Sequence, residues 1–135
     1  MRQLPTEPND IRTLTIMGDP KEAKRARAFA RTTLDSLGCN PSTIDDGELI
    51  VSELATNAIA AAPGKQIDIS IFPIKDLVAI YVYDPANELP RRQRPTLAGE
   101  KGRGLAIVRS CSYRHGTSPS ASGGKVVWAM VRRYS

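Results

Sequence analysis

The sequence is poor in the residues that hold metals, form disulfides or stack on nucleic-acid bases. It contains two cysteines and one histidine, and aromatic residues make up only 5% of it. Cys39 and Cys111 lie far apart and belong to no CxxC or Cys/His spacing, which argues against a zinc site and predicts two reduced, structural thiols. Because there is no cluster of aromatic residues and no recognition-helix pattern, the sequence does not favour direct nucleic-acid binding.

Long hydrophobic runs are also missing. The longest nearly uncharged stretch, residues 54–63, is mostly alanine and much shorter than the roughly 20 apolar residues that cross a bilayer. No apolar segment follows the arginine near the N-terminus, so the sequence predicts no secretory signal. We therefore expect a cytoplasmic protein without a membrane partner.

The composition is that of a soluble globular chain. Of the 135 residues, 41% are hydrophobic and 24% are charged, which excludes a disordered, collagenous or coiled-coil protein. Pro5, Pro8 and Asn9 predict a flexible lead-in over residues 1–10, and the length predicts a single domain over residues 11–135. The net charge of +5 suits an anionic partner such as a nucleotide, a nucleic acid or an acidic protein.

In the first half of the chain, the pattern of polar and apolar residues predicts a strand and two helices. Residues 12–17 alternate in the manner of a half-buried strand. A helix follows over residues 19–38, with a capping aspartate and a proline at its start and a glycine at its end. A second helix covers residues 42–63, with Ser42 as the expected N-cap.

The second half is predicted to be mostly strand around one long loop. A loop of this length in so small a domain is typical of a functional lid. Together the elements indicate a two-layer α/β sandwich, in which a mixed, mostly antiparallel sheet is covered on one face by helices. The predicted elements are a hairpin of strands 66–72 and 77–83, the polar lid 84–104, a short helix 105–111 and a last strand 125–131, with strand and turn residues of open assignment over 112–124.

A carboxylate and an amide lie one turn apart on the second predicted helix. Glu53 and Asn57 therefore project from the same face and can act together. A carboxylate can orient a hydroxyl or water nucleophile, and an amide oxygen can bind Mg²⁺ beside phosphate oxygens. Such pairs are common on solvent-facing helices, so taken alone this pair favours a plain structural interpretation.

Two further features are typical of nucleotide sites. The run Gly102-Arg103-Gly104 follows the lid and opens a helix, as at an anion-binding helix N-terminus. Asp84 ends a strand, where a buried carboxylate could accept a hydrogen bond from an exocyclic amine. Taken singly, the GxG run is a weak signal, and Asp84 fits a strand-ending Asp-Pro turn as well. A Walker loop is excluded, because no GxxxxGK[ST] run is present.

The order and spacing of these features resemble the ATP-binding domain of the GHKL superfamily. More narrowly, the runs ELATNA at positions 53–58, GRGLAIV at 102–108 and GGKVVW at 123–128 resemble the stand-alone, RsbW-like anti-sigma-factor serine/threonine kinases of bacteria. The resemblance covers roughly residues 11–133. It implies a kinase that uses ATP and Mg²⁺, phosphorylates an anti-sigma-factor antagonist, controls a sigma factor by partner switching and forms a homodimer.

The resemblance also implies a role for each matching residue. Glu53 corresponds to the catalytic glutamate that activates the acceptor hydroxyl, and Asn57 corresponds to the Mg²⁺ ligand. Asp84 corresponds to the aspartate that reads the adenine amino group. The other implied nucleotide-binding positions are Ala86, Gly102, Arg103, Gly104 and Leu105, and the remaining basic residues of the lid region, as candidate phosphate partners, are Arg91, Arg92, Arg94 and Lys101.

Two positions depart from the family pattern. The first glycine box usually reads Asp-x-Gly-x-Gly, whereas this chain has DPAN at positions 84–87, and Val126 stands where the family often has a threonine. These departures keep a second hypothesis open, a non-catalytic protein-binding module with the same fold and a degenerate nucleotide site. A histidine kinase is not favoured, because His115 lies outside any dimerisation-helix context.

Overall fold

The computed structural model describes residues 11–86, Val108 and residues 111–134. The predicted lead-in, most of the lid and most of the short helix at 105–111 lie outside these residues, although Val108 and Cys111 are helical. The described elements are β1 (Arg12–Met17), α1 (Ala23–Ser36), α2 (Pro41–Ala61), β2 (Gln66–Ile74), β3 (Leu77–Asp84), β4 (Arg114–Pro119) and β5 (Lys125–Arg132).

The strands form one sheet, which the helices cover on one face. The strand order is β1-β2-β3-β5-β4, and all four described strand pairs are antiparallel. Ile67, Ile69 and Ile71 alternate along β2 and are fully buried, because they face the apolar stripe of α2. The predicted two-layer sandwich is confirmed.

The two helices pack closely against each other. Gly47 in α2 has no side chain, and a Cβ at this position would overlap the Cδ1 atom of Leu34 in α1. At the surface, Arg31 of α1 donates hydrogen bonds to Asp45 and Glu48 of α2, at 2.6 and 2.8 Å. These bonds raise the pKa of the Arg31 guanidinium above its ordinary value. These ion pairs are exposed and therefore contribute little. The contact between Gly47 and Leu34 determines the spacing of the two helices more than the charged side chains do.

The prediction that Ser42 caps α2 is wrong by two residues. The N-cap is Asn40, whose Oδ1 atom accepts a hydrogen bond from the backbone N–H of Thr43 at 3.0 Å. Pro41 explains the shift, because proline suits the first helical position, where its missing N–H would have no partner. At α1, Asp19 caps a 3-10 turn over Pro20–Glu22, and the α-helix itself begins only at Ala23.

Replacing Asn40 by alanine should lower the free energy of unfolding by about 1 kcal/mol, because the substitution leaves the Thr43 N–H without its acceptor. Urea unfolding followed by circular dichroism measures this loss. Ser42→Ala is the matched control and should change stability by less than half as much, since its hydroxyl only donates to Asn40 at 3.2 Å. Equal losses in the two variants would contradict the cap assignment.

The strand β4 lies within residues 112–124, where the sequence indicated strand and turn without fixing the bounds. Its sequence, RHGTSP, is polar, and five of its six residues are exposed. It lies at the edge of the sheet and pairs only with β5, so no buried alternation marks it in the sequence. The turn to β5 uses Gly123 and Gly124, which both have positive φ angles.

Two further findings bear on the class of protein. Among the described helices, neither is both long enough and apolar enough to cross a membrane. Cys39 is buried, with 7% of its surface exposed, and carries a free thiol. Burial raises the pKa of this thiol, and the charge of Arg133 partly opposes the shift.

Candidate functional site

Glu53 and Asn57 lie side by side on α2, at the border of its buried stripe. Leu54 and Ala58, the next residue in each case, point into the core, whereas Glu53 and Asn57 remain partly exposed. Within the described part of the chain, neither side chain makes a hydrogen bond or an ion pair. Both polar groups are therefore available to a ligand.

The second group of the site is a buried ion pair between two neighbouring strands. Asp84 is the last residue of β3 and Lys125 the first of β5, and the strand register places them directly opposite each other. The Lys125 Nζ atom lies 3.0 Å from the Asp84 Oδ2 atom. Both residues are buried, with 3% and 5% of their surface exposed. Opposite charges attract each other more strongly at buried positions such as these than they do in water.

The backbone around Asp84 is held by one side-chain contact and one close approach. The Asp84 Oδ1 atom accepts a hydrogen bond from the backbone N–H of Ala86 at 2.9 Å, which turns the chain after Pro85. Gly124 passes so close that a Cβ there would overlap the Asp84 carbonyl oxygen and lie 2.8 Å from the Pro85 Cα.

Lys125 is a residue of this site that the sequence pattern did not single out. Val126 pairs with Tyr83, so its side chain lies on the opposite face of the sheet from Asp84. Lys125 shares the buried face with Val127, Ala129 and Val131. The sequence does contain an indication of this pair, because a lysine at an inward position of a strand predicts a buried acidic partner.

The other predicted site residues lie outside the described part of the chain. They are the phosphate-site residues Gly102, Arg103, Gly104 and Leu105 and the lid residues Arg91, Arg92, Arg94 and Lys101. Val108, from the same run as the glycines, is described. It lies in the hydrophobic core with 3% of its surface exposed, and its carbonyl oxygen accepts a helical hydrogen bond from the Ser112 N–H at 2.9 Å.

The family of the protein follows from comparison with known proteins. A model of the histidine kinase-like ATPase domain matches residues 16–131. The chain belongs to this family. The predicted membership of the GHKL superfamily is therefore confirmed, while no curated protein matches the chain.

A solved structure shows the same fold. The histidine kinase-like ATPase domain described here is similar to the crystal structure of the RsbU and RsbW domains of Rv1364c from Mycobacterium tuberculosis, with a TM-score of 0.69 and 20% sequence identity. The similarity covers 93% of this chain and 34% of the other, so this chain spans about a third of that structure's length.

The residues of this ATPase domain fit Mg²⁺ and ATP unequally. Asn57 offers an amide oxygen, and no group of three or more His, Cys, Asp or Glu side chains converges within the described ranges. A magnesium ion here would therefore take the Asn57 oxygen together with nucleotide oxygens, as Mg²⁺ often does. Asp84 is a less simple fit for the adenine amino group of ATP, because each of its carboxylate oxygens already accepts a hydrogen bond.

Proposed function

We propose that this domain binds ATP with Mg²⁺ and phosphorylates a serine or threonine of a protein partner, as RsbW-like kinases phosphorylate an anti-sigma-factor antagonist. The observation that carries the proposal is the pair of Glu53 and Asn57, one turn apart on α2 and available to a ligand. Family membership supports nucleotide binding, and these two residues supply the groups that phosphoryl transfer needs.

The roles of the two side chains follow from their chemistry. The Glu53 carboxylate would accept the proton of the acceptor hydroxyl while the hydroxyl oxygen bonds to the γ-phosphorus. The bond from this phosphorus to the β,γ-bridging oxygen would break, and ADP would leave. The Asn57 amide oxygen would hold Mg²⁺, which neutralises charge on the phosphates when bound. The helix holds both groups one turn apart in a fixed relative position. Catalysis is then mostly positioning and charge neutralisation.

Replacing Glu53 by glutamine should reduce phosphate transfer from ATP to a cognate antagonist about 100-fold, because the amide cannot accept the hydroxyl proton. Transfer of labelled phosphate, measured against candidate antagonist proteins, gives the rate. ATP binding should be nearly unchanged in calorimetry, since the substitution preserves the side-chain shape.

Glu48→Gln is the matched control for this experiment. Glu48 lies on the same helix, but its carboxylate pairs with Arg31 of α1. Its replacement should leave the rate of transfer within about twofold of the unchanged protein, because an exposed pair contributes little. Equal rates in the unchanged protein and in Glu53→Gln would refute the catalytic role of Glu53.

A second candidate function is a protein-binding module without productive nucleotide binding. The Asp84–Lys125 ion pair favours it, because the carboxylate assigned to the adenine is already neutralised. Calorimetric titration with ATP and Mg²⁺ separates the two candidates. Micromolar, adenine-specific binding supports the kinase, whereas a lack of binding at millimolar nucleotide, with binding to a protein partner retained, supports the module.

The proposal includes a sigma factor as second partner, a cytoplasmic location and a homodimer. The face of the sheet opposite the helices supports a protein-binding role, because it carries the partly exposed rings of Tyr81 and Trp128. The Tyr81 ring packs edge to face on the Phe72 ring, with 5.1 Å between the ring centroids. The Trp128 ring lies directly against Gly116. Such rings are typical of protein interfaces. Light scattering tests the dimer, and a monomer mass at all concentrations would exclude it.

A further inference from the structure

We infer that Lys125 determines how the site recognises a nucleotide base, because its ammonium group holds the Asp84 carboxylate and so lowers the affinity for adenine. This inference rests on the proposed function, since it requires that a nucleotide binds beside Asp84. It goes further by naming a specificity residue on β5 that is distant in sequence from the other residues of the site.

The geometry of the pair leaves Asp84 little freedom. Its Oδ2 atom accepts from the Lys125 ammonium at 3.0 Å, and its Oδ1 atom accepts from the Ala86 N–H at 2.9 Å. The backbone contact fixes the orientation of the carboxylate, and the strand pairing fixes the Cα atom of Lys125 opposite that of Asp84. The carboxylate therefore cannot turn toward a base without breaking one of these bonds.

The charges of Lys125 and Asp84 make it unfavourable in free energy for adenine to replace the ammonium. A hydrogen bond between two ionised groups is roughly twice as strong as one between neutral groups, and the amino group of adenine is a neutral donor. If adenine displaced the ammonium, Lys125 would lose its charged hydrogen bond to Asp84, which joins two side chains that are only 6% and 5% exposed. If both donors stayed, the carboxylate would be a weaker acceptor, because the ammonium neutralises it.

A small hydroxyl side chain at position 125 would remove this obstacle. Threonine can donate a neutral hydrogen bond across the strand pair and carries no charge. Asp84 would then keep its negative charge and its remaining lone pairs for the adenine amino group. The adenine would also partly satisfy a carboxylate that is otherwise buried without a cation.

Calorimetric titration of the whole chain with ADP and Mg²⁺ tests the inference in four proteins: unchanged, Lys125→Thr, Asp84→Asn/Lys125→Thr and Lys65→Thr. We expect Lys125→Thr to bind ADP at least about tenfold more tightly than the unchanged protein, which corresponds to one hydrogen bond to a charged group. The double variant should lose this gain. Lys65→Thr, which replaces an exposed lysine, should bind as the unchanged protein does.

GDP serves as the second ligand, because a general loosening of the site would increase binding of both nucleotides. The gain in Lys125→Thr should be confined to ADP, since Asp84 reads the adenine amino group. Circular dichroism verifies that each variant is folded, and Lys125→Gln, which keeps a longer neutral donor, replaces Lys125→Thr if the latter does not fold.

The outcomes separate this inference from the proposed function. Equal, tight ADP binding in the unchanged protein and in Lys125→Thr overturns the inference but leaves the proposed function standing. Weaker binding in Lys125→Thr also overturns it, because Lys125 would then assist the ligand. If none of the proteins binds ADP at millimolar concentration, both the inference and the nucleotide-binding part of the proposed function are wrong.

Discussion

Replacing Lys125 by methionine should lower the free energy of unfolding by about 4 kcal/mol, because it leaves a buried carboxylate without its cation. Methionine has a similar length and fills the space of the lysine stem, so little of the loss should come from a cavity. Among the described residues, Asp84 then keeps only the hydrogen bond from the Ala86 N–H. The remaining oxygen lies where water has little access, since 5% of the side chain is exposed.

Urea unfolding of four proteins measures the effect and isolates its cause. Asp84→Asn/Lys125→Met replaces the ion pair by neutral groups of similar shape, and it should recover most of the stability that Lys125→Met loses. Lys65→Met, which replaces an exposed lysine, should change stability by less than about 0.5 kcal/mol. If the double variant were as unstable as Lys125→Met, the loss would come from packing and not from the unpaired charge.

Replacing Gly124 by alanine should lower the free energy of unfolding by about 3 kcal/mol. Part of this loss, about 1 kcal/mol, comes from the positive φ angle of 74°, which favours glycine. The rest comes from crowding, because the new Cβ would meet the Asp84 carbonyl oxygen and the Pro85 Cα. The ends of β3 and β5 would have to separate, and the ion pair between Asp84 and Lys125 would lengthen with them.

Gly64→Ala is the matched control for this experiment. Gly64 has a φ angle of 75°, almost the same as Gly124, but a Cβ there would meet nothing within 4 Å. Its replacement should therefore lose only the conformational part, about 1 kcal/mol. Thermal or urea unfolding of both variants gives the difference directly. If the two glycines proved equally sensitive, the close approach of the strand ends would not contribute to stability.

Periodicity was sufficient to predict elements whose buried face is continuous. The alternating isoleucines of β2 and the apolar stripe of α2 marked both elements in the sequence, and each is found close to its predicted bounds. It did not fix the bounds of β4, because an edge strand with five exposed residues of six has no buried face to mark it. It also misplaced the cap of α2, since Asn40 and Ser42 are equally good caps by residue type and only Pro41 separates them.

The site was predictable to the extent that its contacts are local. Glu53 and Asn57 are four residues apart on one helix, so their common face follows from helical geometry alone. Asp84 and Lys125 are 41 residues apart, and their contact depends on the register between β3 and β5. A shift of one residue would put Val126 opposite Asp84 in place of Lys125. Strand register depends on packing across the whole sheet, which single-sequence patterns do not contain.

The buried ion pair also limits the routes by which this sequence can diverge. A substitution at Asp84 alone removes the buried carboxylate that Lys125 contacts, and a substitution at Lys125 alone removes the cation that Asp84 contacts. Either single step passes through a destabilised protein, whereas the double substitution restores a neutral pair. The two positions should therefore change together among descendants of this chain, although they are encoded 41 codons apart. In a population of variants, the effect of a substitution at one of these positions on stability would therefore depend strongly on the residue at the other, which is epistasis.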